Sequence, residues 1–556
     1  VRTGPLTDLP ALRTPRLPLD SALLRMHGFF FRLTPVRARR PWGAGARSAL
    51  AALCALLVAA CAGDDKPPRL ERPNIVLITI DTLRADHLGC YGYFRDTSPV
   101  IDALAKESLV FDQAYAVMAT TLPSHASMLT SRYPLEHGIT ANAMHGGNPF
   151  GWKPDMLSFA QVAKDAGYAT AGFVSAAPLK TSSGIHAGFD KWEEPEKVEC
   201  KAEETIDHAL EWHASKPAGP YFLWVHLYDP HWKHTAPPPF DRMFHTDEPD
   251  PKLEAWLAER RIGEAATRGG APEATRTREA INAYCGEIRY TDTQVGRLLE
   301  RLRTSGDLER SVVVLTSDHG EGLNQHGWTA HGLVWDEQLR VPLLMRFPSA
   351  VGLAPRRVDT LVSLVDMLPT VLARIEPFEA PSYRRFLAQA TGADVLAPAF
   401  RERPLLGQRT GRELPEDPGE TYAVTTREWK FIEQEGAEDQ LFDRRRDPHE
   451  LENLAARQQP VVQSVRKIKD VMVRGHIARG AAAGDATAGA LDPQQIADLQ
   501  ALGYLGGDDG RSQFEGEGEG EGKDKDKDES RTAPTEQGGG EKPREGARPV
   551  GGREER

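Results

Sequence analysis

The stretch that decides the fold is residues 74–81, which read NIVLITID. An almost unbroken apolar run of strand length predicts a parallel strand buried on both faces, because a half-exposed strand would alternate apolar and polar residues. Residues 221–227, 312–316 and 341–347 have the same character and are predicted to be further buried strands.

Segments with helical periodicity lie between these strands, at residues 99–107, 158–166, 202–212 and 278–303. Strands that alternate with helices predict an α/β fold with a doubly wound, mostly parallel sheet. After residue 401 the pattern changes to shorter strand-like pieces at 422–426 and 429–434, followed by a helix at 460–473. This change predicts a smaller C-terminal α+β subdomain.

The N-terminal region has the layout of an export signal. Four Arg between residues 37 and 47 precede an apolar run at 49–60, and small residues end this run at Cys61. The ending resembles a bacterial lipobox, so Cys61 is predicted to be lipidated and to anchor the protein in a bacterial envelope membrane. The alternative is an ordinary cleaved signal with Cys61 incidental.

The predicted organisation has five parts. They are a signal region at 1–60, a polar tether at 61–72, a catalytic α/β domain at 73–400, a C-terminal subdomain at 401–510 and a disordered acidic, low-complexity tail at 511–556. The tail alternates Glu with Gly and Lys with Asp, a composition that cannot bury a core.

Charge and cysteine content exclude other classes of protein. The 556 residues carry a net charge of −12, and nine of the Arg lie in residues 1–60, so the remainder is still more acidic. Nucleic-acid binding needs a basic surface, so no nucleic-acid partner is expected. Five Cys exclude a disulfide scaffold, and export would leave an odd set, Cys90, Cys200 and Cys285.

Polar residues follow three of the predicted strands: Asp81 the first, Asp229 and His231 the second, and Asp318 and His319 the third. The carboxyl ends of the strands in a doubly wound sheet line one crevice, where ligands bind. Carboxylates and imidazoles gathered there are natural ligands for a divalent metal. A helix N-cap is the competing interpretation for any single Asp of this set.

Residues 120–130 read TTLPSHASMLT, and Pro123 suits the first turn of a helix. Thr121 is therefore predicted at a helix N-terminus, where backbone N–H groups favour an anion. Considered alone, Thr121 also fits a simple N-cap.

The chain resembles the sulfatase family of the alkaline phosphatase superfamily from about residue 72 to residue 456. The resemblance lies in segments that follow in the family's order: PNIVLITID at 73–81, LPS at 122–124 with LTSRYP at 129–134, TSDHGE at 316–321, HG at 326–327 and 331–332, and LFD at 441–443 before DP, E and NLA at 447–455. It implies an alkaline-phosphatase-like fold and one divalent metal ion.

The resemblance also implies roles for single residues. Asp81, Asp318 and His319 are implied to hold the metal, and a nucleophile at Thr121 completes the site. His231, with His326 or His331, is implied to contact the ester oxygens or to protonate the leaving group. Asp/Asp/His ligation with Thr admits Ca²⁺, Mn²⁺ or Zn²⁺.

Four departures from the family surround the expected anion site. Thr121 stands where sulfatases carry the Cys or Ser that becomes formylglycine, and His125 replaces the usual Arg. Thr82 replaces a second acidic ligand, and residues 174–176 read VSA instead of Lys-Trp-His. These departures favour phosphodiester, phosphonate or phosphoryl-transfer chemistry over formylglycine sulfatase chemistry.

The sequence thus predicts a metal-dependent hydrolase of sulfate or phosphate esters, acting on a small-molecule, glycan or lipid ester. A non-catalytic, sulfatase-like binding protein of the envelope is the alternative. A second metal is possible if Asp229, His231 and His331 bind it. Substrate contacts are predicted for His125, His226, Asp229 and His326; no oligomeric state is predicted.

Overall fold

The computed structural model describes residues 69–142, 152–153, 156–262, 271–409 and 419–481. The predicted signal region with Cys61, most of the tether and the acidic tail lie outside these residues. Within them, no helix has both the length and the apolar character that a membrane span requires.

Eight strands of the described part form one large sheet in the order β4-β3-β5-β1-β6-β7-β2-β8. They are β1 Asn74–Ile80, β2 Leu109–Tyr115, β3 Ala169–Val174, β4 Lys191–Glu193, β5 Tyr221–Leu227, β6 Ser311–Ser317, β7 Leu343–Arg346 and β8 Arg356–Ser363. Neighbouring strands are parallel except β7, which is antiparallel to both β6 and β2. The predicted mostly parallel sheet is confirmed.

Helices cover both faces of this sheet. They are α1 Pro99–Ala105, α2 Thr121–Thr130, α3 Pro134–His137, α4 Phe159–Asp165, α5 Ala202–Ser215, α6 Pro251–Glu259, α7 Ala271–Thr304, α8 Asp336–Leu339, α9 Met367–Leu372 and α10 Pro381–Gln389. Alternate residues of β1 enter opposite cores: Ile75 and Leu77 pack with α2, α4, α9 and α10, whereas Val76 and Ile78 pack with α1, α5, α6 and α7. The sheet is therefore doubly wound, as predicted.

A second, four-stranded antiparallel sheet follows in the order β12-β11-β10-β9. Its strands are β9 Leu405–Arg409, β10 Thr421–Thr425, β11 Trp429–Gln434 and β12 Gln440–Asp443, and helix α11 spans Gln459–Ala481. The smaller C-terminal α+β element is thus present, and its exact boundary near residue 400 stays a prediction. Lys430 of β11 is fully buried, and its Nζ lies 2.6 Å from Asp336 Oδ1 and 3.0 Å from Glu450 Oε1.

Candidate metal and catalytic site

The centre of the large sheet brings three predicted strand ends together. Strand β1 lies between β5 and β6, and Thr79 is opposite both His226 and Thr316 in the two registers. Asp81 follows β1, and Asp318 and His319 follow β6. All three site residues are fully buried at the carboxyl edge of the sheet, where ligands bind in such folds.

Helix α2 brings Thr121 to the same edge. Thr121 is the first residue of this helix, in agreement with its predicted place at a helix N-terminus. The helix is held to β6 because Ser124 Oγ donates a hydrogen bond to the Asp318 carbonyl at 2.7 Å. Thr121 Oγ1 is buried and has no hydrogen-bond partner within the described residues.

Several buried polar atoms at this edge of the sheet have no hydrogen-bond partner within the described residues. Among the residues that the structure describes, no hydrogen-bond partner reaches Asp81 Oδ1 and Oδ2, Asp318 Oδ2, His319 Nε2, His226 Nε2 or Thr121 Oγ1. His319 Nε2 lies 3.4 Å from Asp318 Oδ2 and 3.8 Å from Asp81 Oδ1. Buried polar groups without partners are costly, so their convergence indicates a ligand that all of them contact.

The protonation states of these residues suit a cation. His319 Nδ1 lies 3.0 Å from the Gly320 carbonyl, to which it must donate, so Nε2 presents a lone pair. Burial lowers the pKa of His319 to about 4, which keeps the ring neutral. Burial, and then the charge of Asp81, raise the pKa of Asp318 to about 7, and burial raises that of Asp81 well above its usual value. The two carboxylates can ionise together only beside a positive charge.

A divalent metal fits this donor set. Asp81, Asp318 and His319 offer ligand atoms that all lie within 4.8 Å of one another. Metal-bound histidines commonly donate their other ring N–H to a backbone carbonyl, as His319 Nδ1 does to Gly320.

His125, which occupies the position of the family's Arg, does not act as its substitute. Its Nδ1 donates to the Thr121 carbonyl at 2.8 Å, and its Nε2 accepts from Thr79 Oγ1 at 3.1 Å. Burial lowers the pKa of His125 to about 3, so the ring carries no charge for an anion. Both ring nitrogens hold the start of α2 against β1, and the substrate contact of His125 stays a prediction.

His231 and His331 meet beside the same cluster. Their Nε2 atoms are 3.1 Å apart, and the His331 ring centroid is 4.4 Å from that of His319. His331 Nδ1 donates to the Ala119 carbonyl at 3.0 Å, and His231 Nδ1 contacts Tyr228 and the Trp232 carbonyl. The two histidines therefore direct their Nε2 atoms toward each other next to a candidate metal ligand.

Asp229 has hydrogen-bond partners within the protein. Its Oδ2 accepts from the Ala202 amide at 2.8 Å, and its Oδ1 accepts from Lys201 Nζ at 3.0 Å. The carboxylate thus caps the start of α5, which is the competing interpretation given for a single strand-end Asp. Its roles as a substrate contact and as a ligand of a second metal stay predictions.

His326 also forms hydrogen bonds within the protein. Its Nδ1 bonds Glu337 Oε1 at 3.0 Å and its Nε2 bonds the Glu450 carbonyl at 3.1 Å, while the ring stacks on Trp335 at 3.9 Å. Burial opposes its charge, but Glu337 and Glu450 together outweigh burial and raise the pKa of His326 to about 9. His326 thus forms an ion pair with Glu337, and its substrate contact stays a prediction.

Three residues that were not predicted as site residues also shape the site. Ser175, just after β3, donates from Oγ to the His226 carbonyl at 2.7 Å, and its place at a strand end was a usable signal. Asn142 Oδ1 accepts from the Leu122 amide at 2.9 Å, and no local pattern marks it. Thr82 has a φ of 52°, a rare conformation for a β-branched residue, and its amide donates to Asp318 Oδ1.

Comparison with known proteins agrees with this geometry. A family model described as Sulfatase matches residues 73–376. N-acetylglucosamine-6-O-sulfatase of Bacteroides thetaiotaomicron is 25% identical over 492 residues, which cover 72% of this chain and 86% of that protein. Arylsulfatase of Clostridium perfringens is 25% identical over 453 residues, 69% of this chain and 90% of that protein.

A solved structure shows the same fold. The phosphonate monoester hydrolase of Agrobacterium radiobacter superposes with a TM-score of 0.58 at 21% identity, over 73% of this chain and 96% of that chain. The likeness extends over nearly the whole length of that enzyme.

Proposed function

The chain belongs to the sulfatase family of sulfuric and phosphoric ester hydrolases, and we propose that it is a metal-dependent hydrolase of phosphoric or phosphonic esters with Thr121 as nucleophile. The observation that carries the proposal is the position of Thr121 Oγ1. It is buried at the start of α2, without a hydrogen-bond partner in the described residues, and α2 is bonded to the residue that offers a metal ligand, Asp318.

Asp81, Asp318 and His319 would hold the ion. Such an ion supplies positive charge that lowers the pKa of a hydroxyl and stabilises ester oxygens. Thr121 is the first residue of α2, and a helix N-terminus favours an anion. His125 holds the Thr121 carbonyl, so the nucleophile stays at the start of the helix.

The reaction then needs two displacements at phosphorus. Thr121 Oγ1 gives its proton to the neutral His231–His331 pair as it bonds to phosphorus, and the pair passes that proton to the leaving oxygen as the bond to that oxygen breaks. Water next gives a proton to the pair as it attacks phosphorus, and the pair returns that proton to Thr121 Oγ1 as the Thr121 Oγ1–phosphorus bond breaks. The 3.1 Å separation of the two Nε2 atoms suits one proton held between them.

Threonine favours phosphoryl over sulfuryl transfer. The formylglycine route releases sulfate because a second hydroxyl on the same carbon drives the collapse of the intermediate. Thr121 has a single hydroxyl, so water would have to attack sulfur directly. Phosphorus accepts such an attack, as the reverse of the first displacement. The likeness to a phosphonate monoester hydrolase supports this choice, whereas the relatives named sulfatases support the sulfate alternative.

The test is a comparison of matched aryl esters: sulfate, phosphate monoester, phosphodiester and phosphonate monoester. We expect faster turnover of a phosphorus ester, with Thr121 unmodified in the mass spectrum. Thr121→Ala should lower kcat by about 10⁴-fold or more, and Thr121→Ser should retain much of the rate. Thr130→Ala, in the same helix, is the matched control. Preference for the sulfate ester with unmodified Thr121 would refute the proposal.

We also propose export and a lipid anchor at Cys61, on the basis of the sequence pattern alone. Mass spectrometry of membrane-extracted protein should show an acylated Cys61 as the first residue. An unmodified N-terminus that begins elsewhere would contradict this proposal.

A further inference from the structure

We propose that His226 is a further metal ligand, so that two imidazoles and two carboxylates hold the ion. The inference rests on the metal centre of the proposed function and not on its reaction. His226 lies in β5, next to β1, and is fully buried. The sequence predicted a substrate contact for it, and the structure instead directs its Nε2 at Asp81 Oδ2, 3.5 Å away.

The tautomer of His226 follows from its other ring nitrogen. Nδ1 lies 3.5 Å from Ser175 Oγ, and that hydroxyl already donates its proton to the His226 carbonyl at 2.7 Å. Ser175 Oγ can therefore only accept from Nδ1, which must carry the ring proton. If Nε2 carried it instead, two lone pairs would face each other at Nδ1 and Ser175.

Nε2 of His226 is thus a bare lone pair that faces a carboxylate oxygen. Neither atom has a hydrogen-bond partner in the described part of the chain. Two acceptors buried at this distance repel each other unless a cation or a proton lies between them. His319 shows the same pattern, with Nδ1 bonded to the protein and Nε2 directed at Asp81 and Asp318.

Three of the separations between these residues match two ligands of one ion. Zinc–nitrogen and zinc–oxygen bonds are about 2.0–2.2 Å, so two ligands at a tetrahedral angle are about 3.4 Å apart. The His226–Asp81, His319–Asp318 and His319–Asp81 separations are 3.5, 3.4 and 3.8 Å. His226 also belongs to a second group of possible ligands, together with His125 and Asp318. His125 drops out of that group because both of its nitrogens bond the protein.

The donor set narrows the choice of metal. Calcium takes oxygen ligands almost exclusively, whereas imidazole suits zinc and other transition metals. Two imidazoles beside two carboxylates and Thr121 therefore favour Zn²⁺ or Mn²⁺ over Ca²⁺.

X-ray absorption at the zinc edge of the full chain, loaded with Zn²⁺, counts the imidazoles directly. We expect two in the wild type and one in His226→Ala, with zinc affinity at least about 10-fold weaker. His125→Gln is the matched control, because it removes a neighbouring buried imidazole and should leave the count at two. A count of one in the wild type, or of two in His226→Ala, would overturn the proposal.

Two safeguards keep the test decisive. If circular dichroism shows that His226→Ala is unfolded, the number of imidazoles bound to zinc is compared in the wild type, His125→Gln and His231→Gln. Two imidazoles in all three proteins would support His226 and His319 as the ligands. A count that falls in His231→Gln would assign the second imidazole to His231 and refute the proposal. A chain that binds no zinc would refute the ligand set proposed here, whereas failure of the proposed function would appear separately, in the ester comparison.

Discussion

Two buried clusters of this molecule use the same residue types in opposite ways. The metal cluster (Asp81, Asp318, His319, His226 and Thr121) lies at the carboxyl edge of the large sheet. The ionic cluster (Asp336, Glu337, Glu450, His326 and Lys430) joins the small sheet to the segment after β6. In the first, lone pairs face one another; in the second, carboxylates face cations.

Their histidines show what this difference means. Burial lowers the pKa of His319 to about 4. In His326 burial acts in the same direction, but Glu337 and Glu450 together outweigh it and raise the pKa to about 9. The ionic cluster thus carries its own positive charge, whereas the metal cluster must receive one. Buried carboxylates mark a binding site when no cation of the chain accompanies them.

The strongest test of this contrast is Asp318→Ala. We expect loss of metal binding and of activity together in a protein that still folds, because the carboxylate lies beside the polar side chains of His319 and His125 and not in the apolar core. Metal content and turnover are measured alongside circular dichroism. Full metal content in the variant would show that Asp318 is not a ligand, and an unfolded variant would show that metal and folding are coupled.

Lys430→Met should damage the ionic cluster and spare the metal cluster. It leaves Asp336 and Glu450 buried without their shared cation, and breaking a buried pair in this way costs about 3–5 kcal/mol of unfolding free energy. Urea denaturation measures the loss, and metal content should stay at the wild-type level. An unchanged denaturation midpoint would mean that water replaces the ammonium group.

The metal cluster should respond to pH when a chelator keeps it free of metal. The pKa of Asp318 is raised to about 7 in the folded chain, against about 3.9 in an unfolded one, so the folded state binds the extra proton. The stability that protonated Asp318 contributes is fully present below about pH 4 and is lost as the pH rises to about 7.

Asp318→Asn isolates this effect, because the amide mimics the protonated carboxyl at every pH. Its stability relative to the wild type should grow between pH 4 and pH 7, by up to about 1 kcal/mol per pH unit. Denaturation curves of both proteins at four pH values measure the difference, and added Zn²⁺ should reverse it. A difference that does not change with pH would contradict the raised pKa.

The smallest effect is expected for an exposed ion pair. Arg457 and Glu452 form a salt bridge at the surface, with both side chains 63% exposed. Solvent screens such a pair, so Arg457→Gln should cost less than about 1 kcal/mol. A loss as large as that of Lys430→Met would show that burial does not explain the difference between the two pairs.

The parts of the fold that the sequence predicted best are those buried on both sides. Strands β1 and β5 begin and end where their apolar runs do. Strands β2 and β8 were missed because both contain charged or half-exposed residues. The antiparallel direction of β7 was not predicted either, since an apolar run has no preferred direction and neighbouring strands decide it.

For the candidate site, too, the sequence predicted one part and only the tertiary structure decided the rest. The sequence alone determined that Asp81, Asp318 and His319 follow buried strands, and strand ends of a doubly wound sheet share one crevice. The tertiary structure decided which side chains stay free there: Lys201 and the start of α5 engage Asp229, Glu337 engages His326, and Ser175 directs His226. Those partners are distant in sequence or recognisable only in space, so no local pattern reveals whether a polar side chain has its partner in the protein or awaits one.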